Sequence, residues 1–252
     1  METKNIFETK NPLEKNHILG KITIMRHGDT EYTNQYPDLT PKGIERIREK
    51  GKYLKTKIDP EKENVFYETS PSARAKGTMS LILEELDQKD AEVRILKIMR
   101  SAEQRDPEKA KAMITEVDWR ADIGAWDRFF ATDNRFENSP DIWQPRSELE
   151  RRFYQGLEYV IRSFLKYHKN QKEGKIPHLL AVSHFEFLNH FIVKVFNLDL
   201  KKDNLLGFAE AVEMEVRELT PDKPDKISIK VSFRGQHKDI IFNRENYSLI
   251  II

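Results

Sequence analysis

Apolar and polar positions alternate along this chain in two rhythms, and the order of those rhythms predicts a fold class. Ile22-Thr23-Ile24-Met25 is an apolar, β-branched run that reads as a strand ending at Arg26-His27-Gly28. From Pro41 to about Ile58, the residues Ile44, Ile47, Tyr53 and Leu54 recur at mostly helical spacing, with Thr40 placed to cap and Pro41 in the first helical position. Asn64 to Thr69 reads as a second strand. Pro71 to Leu86 reads as a helix whose apolar members are Ala75, Met79, Ile82, Leu83 and Leu86, and Ala91 to Ile98 as a third strand. Strand, helix, strand, helix, strand is the signature of right-handed crossovers, so an α/β fold with a mainly parallel sheet is expected.

The rhythm breaks between residues 99 and 146. Glu108 to Val117 reads as a helix, but beyond it the chain is aromatic, polar and punctuated by Gly124, Pro140 and Pro145. Trp119, Trp126 and Trp143 fall here with Phe129, Phe130, Phe136 and the arginines Arg105, Arg120, Arg128 and Arg135. Two readings stand: a satellite core shielded by arginines, or an inserted lid that supplies substrate contacts. The segment is taken as a lid insertion within one domain spanning 1–252. Periodicity resumes at Glu148, where Leu149, Phe153, Leu157, Val160, Ile161 and Phe164 trace one face of a long helix. His178 to Ser183 then reads as a buried strand and Glu186 to Phe196 as a helix. Ala211 to Leu219, Lys226 to Phe233 and Lys238 to Phe242 read as further strands, the last two joined through Gly235. The apolar run Leu249-Ile250-Ile251-Ile252 is expected either as a buried strand or as an interface, such as that of a homodimer.

Composition narrows the function classes. The 43 Lys and Arg residues against 42 Asp and Glu give a formal charge of +1, which argues against a nucleic-acid or membrane partner and makes any anion preference local. There is no cysteine, so disulfides and thiolate chemistry are excluded. No histidine pair has metal-ligand spacing with a carboxylate, and no glycine-rich phosphate loop is evident, so neither a metal nor a cofactor is expected. Without an apolar leader or a long apolar span, the protein is expected in the cytoplasm.

Chemistry concentrates where strands end. Arg26 offers a forked, permanently charged donor for phosphate oxygens, and a neutral His27 is a nitrogen nucleophile. Gly28 is read as the place where a ligand approaches the backbone. Ser70-Pro71-Ser72-Ala73-Arg74-Ala75 with Thr78 follows the second strand, and Val182-Ser183-His184 follows the late one. Thr30 and Ser183 are expected to cap backbone groups and not to take part in chemistry.

With Arg-His-Gly, Ser-Pro-x-x-Arg-Ala and the late histidine in that order, the chain resembles the histidine phosphatase superfamily, the phosphoglycerate-mutase-like group, over most of 21–197. The resemblance implies a three-layer αβα sandwich. It implies His27 as nucleophile and Arg26, Arg74 and His184 as the groups that hold the phosphoryl group. It further implies metal-independent hydrolysis of phosphomonoesters through a phosphohistidine, with a phosphorylated small molecule or phosphoprotein as substrate. The family's glutamate, the general acid, matches Glu103 by distance from the third strand. Asp122-Ile123-Gly124-Ala125-Trp126 resembles a family segment with an acid just before it, where this chain has Arg120, so Glu116, Asp118 and Asp122 remain candidates beside Glu186. The chain departs from the pattern at Thr33, where the asparagine is displaced to Asn34, and at Phe185, where a glycine is common. A mutase, and a phosphate-binding regulatory module without turnover, are the alternatives.

Overall fold

The computed structural model describes residues 18–31, 38–117, 124–170, 174–200, 205–219 and 225–252. Eight strands form one sheet: β1 (Ile18–Arg26), β4 (Glu63–Thr69), β5 (Val93–Ile95), β6 (Ile176–Ser183), β7 (Ala211–Glu218), β8 (Lys226–Phe233), β9 (Gln236–Asn243) and β10 (Ser248–Ile251). The order is β10-β9-β8-β7-β1-β6-β4-β5, and β2 (Thr30–Glu31) with β3 (Asp38–Leu39) makes a separate small ribbon.

The sheet is mixed, where the sequence pattern predicts a mainly parallel one. β1, β6, β4 and β5 pair in parallel, whereas β7 runs antiparallel to β1 and the β7 to β10 pairings are all antiparallel. The cause is the connections. The parallel strands are joined through helices, while β8 turns into β9 at Arg234 and Gly235, both at positive φ (48° and 75°), as a tight hairpin requires.

Helices cover both faces of the parallel half. α1 (Pro41–Lys57) and α2 (Ala73–Glu85) lie on one side, where Ile47, Leu54, Met79 and Ile82 pack on Met25, Tyr67, Leu180 and Val182. α6 (Arg146–Asn170) and α7 (Phe185–Phe196) lie on the other, where Leu149, Phe153, Ile161, Phe191 and Ile192 pack on Ile22, Ile24, Leu179 and Ala181. Burial on both faces is why β1 and β6 are nearly continuous apolar runs. Thr40 caps α1 as expected, accepting from the Gly43 N–H at 2.9 Å, whereas α2 starts two residues later than expected because Ser72 caps it, accepting from the Ala75 N–H at 3.3 Å.

In the 99–146 stretch, the described residues include α3 (Pro107–Thr115), α4 (Ala125–Thr132) and α5 (Arg135–Asn138). Trp126, Phe129, Phe130, Phe136 and Trp143 pack on one another, with Phe130 and Phe136 ring centroids 4.6 Å apart, and merge with the core over α6 and α7. Trp119 lies outside the described residues. The C-terminal run forms the edge strand β10, but it is not buried: Ile250 and Ile252 are 56% and 67% exposed, and Leu249 alone of the run turns to the core.

Two packing details set the geometry near the strand ends. A Cβ on Gly28 would stand 2.4 Å from Ile47 Cδ1, so Gly28 makes room for α1, which replaces the reading that a ligand approaches there. At the opposite end of the sheet, the buried His178 joins Thr23 Oγ1 at 2.9 Å to Glu63 Oε2 at 2.6 Å, and Lys21 donates to the other Glu63 oxygen at 2.6 Å.

Gly28→Ala should therefore cost about 1–3 kcal/mol of stability by overpacking, and Ile47→Val about 0.5–1.5 kcal/mol. In urea melts the double variant should lose less than the sum of the two, and strict additivity would contradict this packing. Burial opposes ionisation of Glu63, but hydrogen bonds from His178 and Lys21 outweigh it and hold the carboxyl below its ordinary value. Its stabilising contribution is complete above the unfolded value of about 4.3 and is lost as the pH falls through the lower folded value. Acid should thus destabilise the wild type more than Glu63→Gln, and parallel stability curves for the two would contradict the network's role.

Candidate active site

The parallel register between β1 and β6 brings two distant motifs together. Arg26 pairs with Ser183, and the His27 N–H donates to the Ser183 carbonyl at 3.0 Å, so His27 and His184 leave adjacent strand ends side by side. Their ring centroids are 5.2 Å apart. β4 ends on the other side of β6, where the Ser70 N–H donates to the Val182 carbonyl, and this delivers Ser70, Ser72 and Arg74 to the same crevice. α2 is tied to the first motif through Thr78, whose hydroxyl accepts from the Gly28 N–H at 3.0 Å and donates to the Arg74 carbonyl at 2.8 Å. Strand carboxyl ends of an open α/β sheet are where such crevices form.

The tautomer of each histidine follows from its partners. The Gly28 carbonyl, 2.8 Å from His27 Nδ1, can only accept, so Nδ1 carries the proton and Nε2 keeps its lone pair. For His184 the logic reverses. Arg74 can only donate, so Nδ1 accepts from it at 3.2 Å while Nε2–H donates to Ser70 Oγ at 2.7 Å. Both imidazoles are held neutral. Burial pulls the His27 pKa well below the ordinary value, helped by the charges of Arg74 and Arg26, and burial with Arg74, Arg26 and Arg152 does the same to His184.

Arg26 is anchored. Its two terminal nitrogens form a bidentate pair with Asp127 at 2.5 and 3.1 Å, and one of them also reaches the Leu206 carbonyl at 2.7 Å. The guanidinium lies 3.7 Å from the Phe208 ring centroid and 5.1 Å from that of Phe185. Nε remains buried without a hydrogen-bond partner among the described residues. That unpaired N–H beside a neutral histidine is a donor with no acceptor of its own, as an oxyanion's oxygen would supply. Burial pushes the Asp127 carboxyl up against the pull of Arg26.

Of the expected site residues, His27, Arg26, Arg74 and His184 come together, and Glu103 lines a pocket of about 470 Å³ with Ser72, Arg74, Arg100 and His184. Glu103 accepts from Arg100 at 2.9 Å. Glu116 does not belong to this group: Arg135 takes both of its oxygens on the surface, at 2.9 and 2.7 Å, and holds its carboxyl below the usual range. Glu186 sits buried in the first turn of α7. Thr33, Asn34, Asp118, Arg120 and Asp122 lie outside the described residues. Phe185 turns into the core beneath Arg26, and Ser183 donates to the Met99 carbonyl at 2.8 Å, the capping role expected of it.

Sequence reading missed Asp127, Phe208 and Arg152. Asp127 directly follows Trp126 in a segment already singled out. Nothing local marks the other two. Among the described residues, no cluster of three or more His, Asp or Glu side chains is arranged to hold a metal, and no helix is long and apolar enough to cross a membrane.

Comparison with known proteins agrees with the geometry. The fold is shared with a phosphoglycerate mutase from Bacillus anthracis, at 17% identity and a TM-score of 0.52 over 86% of this chain and 90% of that one. It is shared also with a mycobacterial glucosyl-3-phosphoglycerate phosphatase solved with inorganic phosphate, at 15% identity and a TM-score of 0.53 over 86% and 97%. A third structure, Bacillus stearothermophilus YhfR, gives 16%, 0.53, 86% and 97%. No curated protein sequence matches the chain. The family model of the histidine phosphatase superfamily (branch 1) matches residues 22–225, four of whose side chains, Arg26, His27, Arg74 and His184, meet in the crevice. The chain belongs to the histidine phosphatase superfamily.

Proposed function

We propose that this protein is a metal-independent phosphomonoesterase that works through a phosphohistidine on His27. The observation that carries the reading is the hydrogen bond from His27 Nδ1 to the Gly28 carbonyl, which leaves a neutral Nε2 lone pair in a pocket of cations. In the first step Nε2 forms a bond to phosphorus as the bond from phosphorus to the ester oxygen breaks. Arg26 and Arg74 neutralise the equatorial oxygens, and His184 stands against the transferring group. The leaving oxygen takes a proton from Glu103, which lines a pocket together with Arg74 and His184. In the second step Glu103 takes a proton from water, the oxygen attacks phosphorus, and the bond to Nε2 breaks to release phosphate and restore His27.

Arg26 acts from a fixed position, because Asp127 and the Leu206 carbonyl already orient its fork. Phe185 and Phe208 keep water from its face. The pocket accommodates a small phosphorylated molecule or a phosphorylated side chain presented by a protein. Two of the structural relatives are named for acting on phosphoglycerates, one as a mutase and one as a phosphatase. Hydrolysis is preferred here to phosphoryl return within the substrate, and labelled phosphate recovered in water rather than on a second hydroxyl is the corresponding readout.

His27→Ala should reduce hydrolysis of p-nitrophenyl phosphate by about 10⁴-fold or more, since the pocket's cations cannot replace the nucleophile. Turnover within tenfold of wild type would sink the reading. The His27 imidazole should titrate below the free-histidine value of about 6.5 in an NMR titration, because burial and nearby cations favour the neutral form. Arg74→Met removes one of those cations, so its His27 should titrate at higher pH than in the wild type. An unchanged or lower value would contradict the electrostatic account.

A further inference from the structure

Glu103 stands on a stretch with little regular structure of its own, between the turn at Lys97–Met99 and α3. Something outside that stretch must fix where its carboxyl stands. Arg152, in the second turn of α6, reaches across and donates to the Arg100 carbonyl at 2.6 Å and to the Ser101 carbonyl at 3.1 Å. Its other terminal nitrogen donates to Gln144 Oε1 at 2.6 Å, and the backbone N–H of that same Gln144 donates to the Glu103 carbonyl at 2.8 Å. The neighbouring residues Gln104 and Trp143 form an isolated antiparallel bridge. Residues 100, 101 and 103 are thus gripped by one guanidinium and one glutamine, 7% and 6% exposed.

The grip is costly in isolation. Arg152 is a buried cation whose hydrogen bonds all go to neutral oxygens, and burial pulls its pKa down to about 10, where it still remains charged at neutral pH. A fork that satisfies three oxygens on two chain segments is something a lysine cannot reproduce. The same charge also reaches His184, whose neutrality it favours.

We propose that Arg152, acting with Gln144, is the positioning residue that sets Glu103 at the distance and angle needed to protonate the leaving group. This rests on the phosphomonoesterase reading and deepens it by assigning what holds the acid in place. A general acid works only within hydrogen-bond reach, and a displacement of about 1 Å can cost on the order of 100-fold. An arginine that served stability alone would, when replaced, affect every substrate alike. Loss of acid placement affects substrates according to how badly their leaving oxygen needs a proton.

The test is kcat/KM, which reports phosphorylation of His27, over a series from p-nitrophenyl phosphate, whose phenolate departs unprotonated, to glycerol 2-phosphate, whose alkoxide needs the proton. Arg152→Met should lower kcat/KM for glycerol 2-phosphate about 100-fold more than it lowers that for p-nitrophenyl phosphate. Arg152→Lys should fall between, and Gln144→Leu should show the same selective loss at smaller size. If Arg152→Met does not fold by circular dichroism, the lysine and Gln144 variants carry the comparison. Equal losses across the series, or no loss, overturn the proposal. Glu103→Gln is measured alongside: if its own losses are equal across the series, the assignment of the acid fails and takes this inference with it. A selective loss in Glu103→Gln without one in the Arg152 and Gln144 variants overturns this inference alone.

Discussion

The parallel pairing of β1 with β6 is the constraint on which the site depends. It fixes Arg26 opposite Ser183 and so sets His27 beside His184, although more than 150 residues separate them in the chain. β4 on the far side of β6 brings Arg74 to the same edge. A one-residue slip of either pairing would turn each motif's side chains to the opposite face of the sheet. The register is held by burial on both faces, since α1 with α2 and α6 with α7 each demand an apolar row from the same strands. Core packing and active-site geometry are here one specification, and Gly28, which yields its side-chain space to Ile47, shows the two meeting at a single residue.

The electrostatics follow from that convergence. A chain with formal charge +1 concentrates Arg26, Arg74 and Arg152 around two buried imidazoles. The carboxylates nearby play unequal parts. Asp127 binds Arg26 directly and fixes its orientation, while Glu103 is half exposed at the pocket mouth and paired with Arg100. In the proposed reaction an anion entering this field meets cations already held in place, so little reorganisation would accompany the development of charge on the transferring group. Neutral histidines are the other half of the arrangement. A protonated His27 would have no lone pair to offer, and burial together with the surrounding arginines disfavours that form.

The legible parts of the fold were those written in local pattern. The buried strands β1, β4 and β6, the cap at Thr40 and the amphipathic α6 all follow from spacing along the chain. Arg26, His27, Arg74 and His184, the residues proposed to carry the chemistry, sit at strand ends next to recognisable neighbours, which is why the sequence names them. Asp127 and Arg152 could not, because their meaning lies in partners 101 and 52 positions away, and a lone charge on an amphipathic helix reads as solvated surface. Glu116 failed for the same reason in reverse: a carboxylate near the right segment turned outward to Arg135. The antiparallel half of the sheet was foreseen as strands but not as antiparallel, since strand periodicity is the same in either direction and only the connections decide.

The central claim is that Nε2 of His27 takes the phosphoryl group because Nδ1 is occupied by the Gly28 carbonyl. The most direct measurement is to quench the enzyme with alkali during turnover of a phosphomonoester and assign the phosphorylated nitrogen by ³¹P NMR together with peptide mass spectrometry. The account predicts phosphate on His27 at Nε2. Phosphate on Nδ1, on His184 or on a carboxylate, or turnover with no phosphorylated protein at any time, would contradict it.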